Sequence, residues 1–496
     1  MQTKIKKDKY KIKTRKNRKN YSQLSENVLS FSQELLGSVF RHQKNKQGGI
    51  FLATVVHSEK TRRKALFASL IGSSIEYYDY LLYGAVASLV FNKVFFSNFD
   101  PTVGLLMALA SFGIPYFFRP LGGIIFSHIG DKVGRKKSLV LTLGIMGVST
   151  ASIGLLPSYD SIGLMAPALL VILRLIQGIA VGGEWGGAVL LAVEYSEKEK
   201  RGFGGSIPMM GAAVGMILAT GTMSLMTSVL SDAQFLSWGW RIPFIASLAL
   251  VFIGVWIRGG LEETPDFQKA KDEGRVSKLP IADTFRYHWK EVILTTGAKA
   301  IESAPFYMFA TFGISYATNT LKMPENSVLN AVTIGTFVSL FAIPLVGRLS
   351  DRIGRKKIFI TGTLGVIVFA IPYFLLLSQK TMLLLTVAVM IGYAIWSVIT
   401  AVLGTMFSEM FSAEVRYTGI SVGYQLGAAI FGGTCPLIAT WLIDKYNSWL
   451  PAAIYLMLLG VLSLVCVLLA RTIGDSENGA ITNNVPPPIS NRTVNK

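Results

Sequence analysis

A small set of ionisable residues falls inside long apolar stretches of this 496-residue chain: Glu76, Asp79, Arg119, Arg174, Glu184, Lys299 and Glu302. A charged side chain in hydrocarbon costs a few kcal/mol or more, so it faces a cavity and finds a partner. Glu76 and Asp79 lie at i and i+3 and share one helix face. A rise of ~1.5 Å per residue puts Asp79 ~20 Å, and Arg174 ~15 Å, from the ends of their stretches. Both depths fall near the middle of a ~30 Å hydrocarbon core. The same arithmetic places Arg119 and Glu184 near the cytoplasmic edge, with Lys299 and Glu302 entering from that side to ~11 and ~16 Å.

Two neighbouring carboxylates beside a cation in a semi-dry cavity suit proton coupling. Desolvation and mutual repulsion favour holding a proton, and the arginine favours releasing it, so a changed arginine contact changes proton affinity. Glu76, Asp79 and Arg174 are the expected coupling group. Lys299 is the expected receiver of a substrate carboxylate, with Glu302, Arg119, Glu184, Tyr307 and Tyr83 as further substrate contacts. Against this stand purely structural pairing between helices, a Lys299–Glu302 pair within one helix, and sodium in place of the proton. A metal fits less well, because no full oxygen cage is visible.

Positioning such charges requires helices that cross a membrane. Hydrophobic residues make up 51% of the chain and charged residues 16%, against roughly 25% charged in soluble domains. Apolar runs of about 20 residues predict spans near 66–91, 104–127, 138–157, 164–192, 204–230 and 241–258, then 292–318, 328–347, 357–377, 382–408, 418–443 and 449–470. The expected fold is all-α, with twelve transmembrane helices in two six-helix bundles, residues 62–258 and 292–471. A cytoplasmic linker spans 259–291, and disordered tails span 1–61 and 472–496.

The net charge of +19 invites a nucleic-acid reading, but its distribution argues otherwise. Lysines and arginines crowd the N-terminus and alternate short loops, which predicts that both termini face the cytoplasm. Two cysteines, Cys435 and Cys466, and four scattered histidines predict neither a disulfide framework nor a metal site. No phosphate-binding GxxxxGK[ST] loop occurs, and no constellation supports an enzyme. The expectation is no cofactor, no nucleic acid and no metal. The partners are a small-molecule substrate, protons and the lipid bilayer, and the protein is a monomer in the cell membrane.

Gly130-Asp131-Lys132-Val133-Gly134-Arg135-Lys136-Lys137 returns half a chain later as Ser350-Asp351-Arg352-Ile353-Gly354-Arg355-Lys356-Lys357. A repeated basic loop between apolar runs predicts two related halves with substrate held between them. These loops, with Arg174-Leu175-Ile176-Gln177-Gly178, resemble the major facilitator superfamily. Ile75-Glu76-Tyr77-Tyr78-Asp79-Tyr80, Gly182-Gly183-Glu184-Trp185-Gly186-Gly187, Trp240-Arg241-Ile242-Pro243-Phe244, Glu263-Thr264-Pro265 and Arg416-Tyr417-Thr418-Gly419 narrow the resemblance. They are similar to the metabolite:proton symporter family, and most to its shikimate-permease-like branch. The chain departs from the family pattern at Ser127, where glycine is usual, and at Tyr77 and Tyr80, where the family has Trp and Phe.

The resemblance implies import of a small organic acid with protons by alternating access. It also implies that Asp131, Arg135, Asp351 and Arg355 act as conformational locks, in charge pairs that open as the halves rock. Uptake of betaine or proline is the alternative within transport, and a nutrient receptor on a transporter scaffold is the alternative outside it.

Overall fold

A backbone in hydrocarbon has no water to bond, so each apolar run must close its hydrogen bonds within one helix. The computed structural model describes residues 59–471 apart from 275 and 278, and these are nearly all helical, with no strand among them. The expected tails lie outside the described residues, except that residues 59–61 already belong to the first helix.

The long helices of the first half are α1 (Glu59–Val86), α2 (Pro101–Val133), α3 (Arg135–Leu155), α4 (Met165–Glu194), α5 (Gly211–Val229) and α6 (Arg241–Gly259). A short helix, Arg201–Ser206, leads into α5. The second half holds α7 (Trp289–Tyr307), α8 (Glu325–Ile353), α9 (Arg355–Ser378), α10 (Met382–Ser408), α11 (Arg416–Gly427) and α12 (Leu450–Leu469). Looser π-helical turns extend α1 over Ala87–Phe91, α7 over Met308–Phe312 and α11 over Ala428–Gly432. The linker forms two short helices, Pro265–Asp272 and Pro280–Tyr287.

Ten of the described helices are long and apolar enough to cross a membrane; α1 and α7, which carry Glu76, Lys299 and Glu302, fall outside that group.

The two halves repeat one packing plan. In the first half α1 packs on α5, α2 on α4, and α3 on both α4 and α6. In the second, α7 packs on α11, α8 on α10, and α9 on both α10 and α12. The interface between halves repeats as well: α2 lies against α11, and α8 against the Arg201–Ser206 helix.

Each repeated loop turns at a glycine with positive φ, Gly134 at 132° and Gly354 at 102°, a conformation that a side chain would strain. The lysine that follows two residues later then caps a helix end. Lys136 Nζ donates to the Gly259 carbonyl at 2.8 Å, and Lys356 Nζ to the Ala470 carbonyl at 2.9 Å. Both cations sit at the negative end of the sixth helix of their half.

Small residues let α2 and α4 touch. A Cβ on Gly122 would fall 1.8 Å from the Ile179 carbonyl oxygen, and one on Gly182 would fall 2.1 Å from the Arg119 carbonyl oxygen. This close approach sets the height of Arg119 against α4 and, through it, the geometry of the central cavity.

Candidate functional site

Charged and aromatic residues of α1, α2, α7, α10 and α11 meet in a small cavity of about 40 Å³, room for one or two waters. Glu76, Arg119, Lys299 and Glu302 supply its charges. Arg119 Nη1 lies 3.8 Å from Glu76 Oε1. The Arg119 guanidinium also sits 4.6 Å from the Tyr116 ring centre and 5.6 Å from that of Tyr80. Lys299 contacts Glu302 one helical turn on, with its ammonium 3.8 Å from the Tyr424 ring centre. Tyr424 in turn stacks on Trp185 of the other half, with ring centres 3.5 Å apart. Thr400 Oγ1 donates to Glu302 Oε1 at 3.3 Å, and Trp396 Nε1 donates to the Glu302 carbonyl at 2.8 Å. Tyr116 and Tyr307 join their hydroxyls across the halves at 2.5 Å.

The expected coupling group is split. Glu76 faces the cavity, whereas Asp79 and Arg174 lie behind it in the first half, and they do not pair. Asp79 Oδ2 accepts from Thr150 Oγ1 at 2.7 Å, and Thr150 Oγ1 accepts from Gln177 Nε2 at 2.8 Å. Arg174 donates to Gln177 Oε1 at 2.5 Å and to the carbonyl of Phe112 at 3.0 Å, and its guanidinium lies 3.7 Å from the Tyr83 ring centre. Gln177 and Thr150 therefore stand between the carboxylate and the arginine. Gln177, one turn along the arginine's own helix, and the α2 carbonyls take up its guanidinium, which depth arithmetic alone does not see.

Of the expected substrate contacts, Arg119 lines the cavity but at another depth, and Glu184 and Tyr83 lie away from it. Arg119 is central, not at the edge: α2 runs on to Val133, six residues past its apolar run, so Arg119 lies mid-helix. Glu184 does not line the cavity. It forms a buried pair with Arg258 of α6, and Thr142 Oγ1 donates to it at 2.9 Å. Tyr83 lies under Arg174, with its hydroxyl 2.6 Å from Ser111 Oγ, away from the cavity lining. Lys299, Glu302 and Tyr307 do line it.

Six further aromatic residues, Tyr77, Tyr80, Tyr116, Phe306, Trp396 and Tyr424, line the cavity. One signal for them was available. Tyr77 and Tyr80, the two departures from the family's aromatic pattern, are both cavity walls.

At the end carrying the repeated loops, the four residues expected to act as locks make more contacts than Asp–Arg pairs. Asp131 Oδ2 accepts from Thr418 N at 2.8 Å and Thr418 Oγ1 at 2.9 Å, capping α11 of the other half. Asp351 accepts from Gly202 N at 2.7 Å and Phe203 N at 2.9 Å, capping the Arg201–Ser206 helix of the first half. A carboxylate at a helix N-terminus meets both free N–H groups and the positive end of the dipole. The arginines also cross. Arg135 donates to the Ala413 carbonyl at 3.1 Å, and Arg355 to the Lys198 carbonyl at 3.4 Å.

Within its own half each arginine meets a carboxylate at the end of the fourth helix. Arg135 contacts Glu194, and Arg355 lies 3.2 Å from Glu409. The linker joins in: Glu263 accepts from the backbone of Arg135 and Lys136 at 3.0 and 3.2 Å, and Asp266 pairs with Arg416 at 2.8 Å. Burial pushes the Asp266 carboxyl up, but Arg416 and Arg201 pull it further, leaving it below the ordinary aspartate value. Glu194 and Asp266 carried no sequence signal beyond being carboxylates near the ends of apolar runs.

Comparison with known proteins places this architecture. Residues 298–493 match the family model described as Major Facilitator Superfamily, and residues 64–279 match the one described as Sugar (and other) transporter. The chain is 40% identical to the shikimate transporter of Escherichia coli (strain K12) over 413 residues, covering 82% of this chain and 94% of that one. The chain belongs to the major facilitator superfamily. This facilitator is also 36% identical to the proline/betaine transporter of Escherichia coli (strain K12), covering 83% of this chain and 84% of that one. Its fold is similar to that of the proton:xylose symporter XylE bound to 6-bromo-6-deoxy-D-glucose, with a TM-score of 0.71 at 14% identity, covering 83% of this chain and 95% of that one. It is a multi-pass membrane transporter of small molecules and not an enzyme, as the loops and central charges led us to expect.

Proposed function

We propose that this facilitator takes up a small organic acid together with protons. The observation that carries the reading is the charge balance of the cavity: two carboxylates, Glu76 and Glu302, against two cations, Arg119 and Lys299. Lys299 and Glu302 offset each other. Glu76 is the looser partner, at 3.8 Å from Arg119, and its Oε2 has no hydrogen-bond partner among the described residues. A substrate carboxylate that takes Arg119 leaves Glu76 as an uncompensated buried charge, which is strongly unfavourable. A proton on Glu76 restores neutrality, so anion and proton enter together. Lys299 receives the carboxylate as well once it leaves Glu302, and Asp79 with Arg174 stiffens the wall behind Glu76.

On this reading the repeated loops face the cytoplasm, as do both termini, and the carrier acts as a monomer in the cell membrane. The loop-end contacts then hold the cytoplasmic side shut and release in turn.

One observation favours a second reading. The cavity is walled by Tyr77, Tyr80, Tyr116, Phe306, Tyr307, Trp396 and Tyr424, and aromatic faces suit a quaternary ammonium. A zwitterion such as betaine would place its carboxylate at Arg119 and its cation among these rings. Uptake by purified protein in liposomes separates the readings. Shikimate-like and aromatic acids should accumulate when the outside is made acidic, and a protonophore should abolish accumulation. Accumulation that follows sodium and ignores the protonophore overturns proton coupling, and preference for betaine over every acid tested replaces the substrate.

A further inference from the structure

The outer face of α3 carries a groove of about 840 Å³, bounded by Leu173 and Ile176 of α4 and by the end of α6. It is distinct from the central cavity and opens on the surface that the apolar spans present to lipid. Its volume lies within the roughly 300–1,000 Å³ of small-molecule sites. From Lys137 to Ser152 it follows α3 for ~22 Å, more than half of a ~30 Å hydrocarbon core and enough for one acyl chain. The concavity has a local cause: a Cβ at Gly144 would meet nothing within 4 Å. Farther along, Val148 is exposed.

The charge on this groove is one-sided. Its wall is mostly apolar, with Ser149 and Ser152 as neutral polar residues, and its charges are confined to the loop end, where Lys136 and Lys137 line the mouth. Lys136 gives one hydrogen bond to the Gly259 carbonyl and keeps its remaining protons. Lys137 is exposed and has no ion-pair partner among the described residues. Glu263 turns to the backbone of Arg135 and Lys136 rather than to either ammonium. An apolar trench one acyl chain long that ends in two cations complements one kind of molecule.

We infer that this groove is a selective site for an anionic phospholipid, with an acyl chain along α3 and the headgroup phosphate on Lys136 and Lys137. Basic pockets between transmembrane helices recognise acidic headgroups in this way. The inference does not rest on the substrate reading and is tested without transport.

The intact protein in neutral detergent is offered equimolar phosphatidylglycerol and phosphatidylcholine, and retained lipids are counted by native mass spectrometry. Wild-type protein should retain phosphatidylglycerol in preference, by about fivefold for each lysine at low ionic strength. Lys136→Gln with Lys137→Gln should bring the ratio of the two lipids to about one. Lys137→Gln alone, at an exposed position, should lower the ratio without disturbing the fold. Gly144→Leu, which fills the open trench and leaves both lysines in place, should lower retention of the acidic lipid severalfold. Equal retention of the two lipids by wild-type protein, a ratio unmoved by loss of both lysines, or full retention by Gly144→Leu would each overturn the assignment.

Discussion

Glu76 and Asp79 share a helix face but not an environment, and that difference can be measured. Glu76 opens on the cavity opposite Arg119, whereas Asp79 is tied to Thr150 behind it. Glu76→Gln should therefore abolish proton-driven accumulation while substrate exchange, which moves no net proton, continues. Asp79→Asn should leave insertion intact and lower accumulation less, because the Thr150 hydroxyl can still bond an amide. Counterflow and gradient-driven uptake on the same liposomes read both, and full accumulation by Glu76→Gln would remove it as the proton site.

Lys299 tests the anion reading. Lys299→Ala should raise the apparent substrate constant for acids about tenfold or more, since a charge-assisted hydrogen bond contributes roughly 1.5–3 kcal/mol. Lys299→Arg keeps the charge and should recover part of the affinity. An acid constant unmoved by either change would mark Lys299 and Glu302 as a purely structural pair.

At the scale of elements, α2 and α4 touch through glycines that leave no room for a side chain. Gly182→Leu would drive carbon into the Arg119 backbone, which cannot give way as a flexible side chain would. It should cost about 3 kcal/mol, at the upper end of overpacking penalties, and should displace Arg119 from Glu76. Gly221→Ala on α5, where a Cβ meets nothing within 4 Å, should be neutral or stabilise by up to ~1 kcal/mol. Thermal unfolding in detergent compares the two.

The linker helix Pro265–Asp272 supplies a pH signature. Asp266 is pulled below its ordinary value of 3.8 by Arg416 and Arg201 against the opposing effect of burial. A depressed folded-state value means that its stabilisation is complete above the unfolded value and is lost as pH falls through the folded one. The Tm difference between wild type and Asp266→Asn should therefore be constant at neutral pH and shrink below about pH 4. A difference that grows on acidification would contradict the assignment.

For the whole molecule, the loop end is held by two equivalent sets of contacts, each a carboxylate capping a helix of the opposite half. Asp131→Asn and Asp351→Asn keep the shape and remove the charge, weakening each cap by about 1 kcal/mol. That changes the ratio of closed to open states by about fivefold. Spin labels on the exposed positions Lys132 and Arg352 should report longer distances in either variant, and more so in the double variant. Distances that stay at the wild-type value would show that the caps do not hold the halves together.

The fold class and the repeat were legible in the sequence because they rest on local rules. Twenty-residue apolar runs have to be helices in hydrocarbon, and the duplicated loops announce two halves. The pairing of helices across the repeat was legible only as an expectation of symmetry. The partners of the buried charges were not legible. Arg174 was expected beside Asp79 and instead bonds Gln177 on its own helix, while Arg119 was expected at the edge and instead faces Glu76. Depth along a helix follows from counting residues, but the direction a side chain faces depends on rotation about the helix axis and on which glycines let two backbones approach. Gly122 and Gly182, by admitting α2 against α4, put Arg119 in the cavity. Arg258, on a helix far along the chain, takes Glu184 out of it. The Arg119–Glu76 and Arg258–Glu184 pairs are made by long-range packing, in which a buried charge settles on an opposite charge that the assembled bundle brings within reach, whereas Arg174 settles on a neutral amide of its own helix.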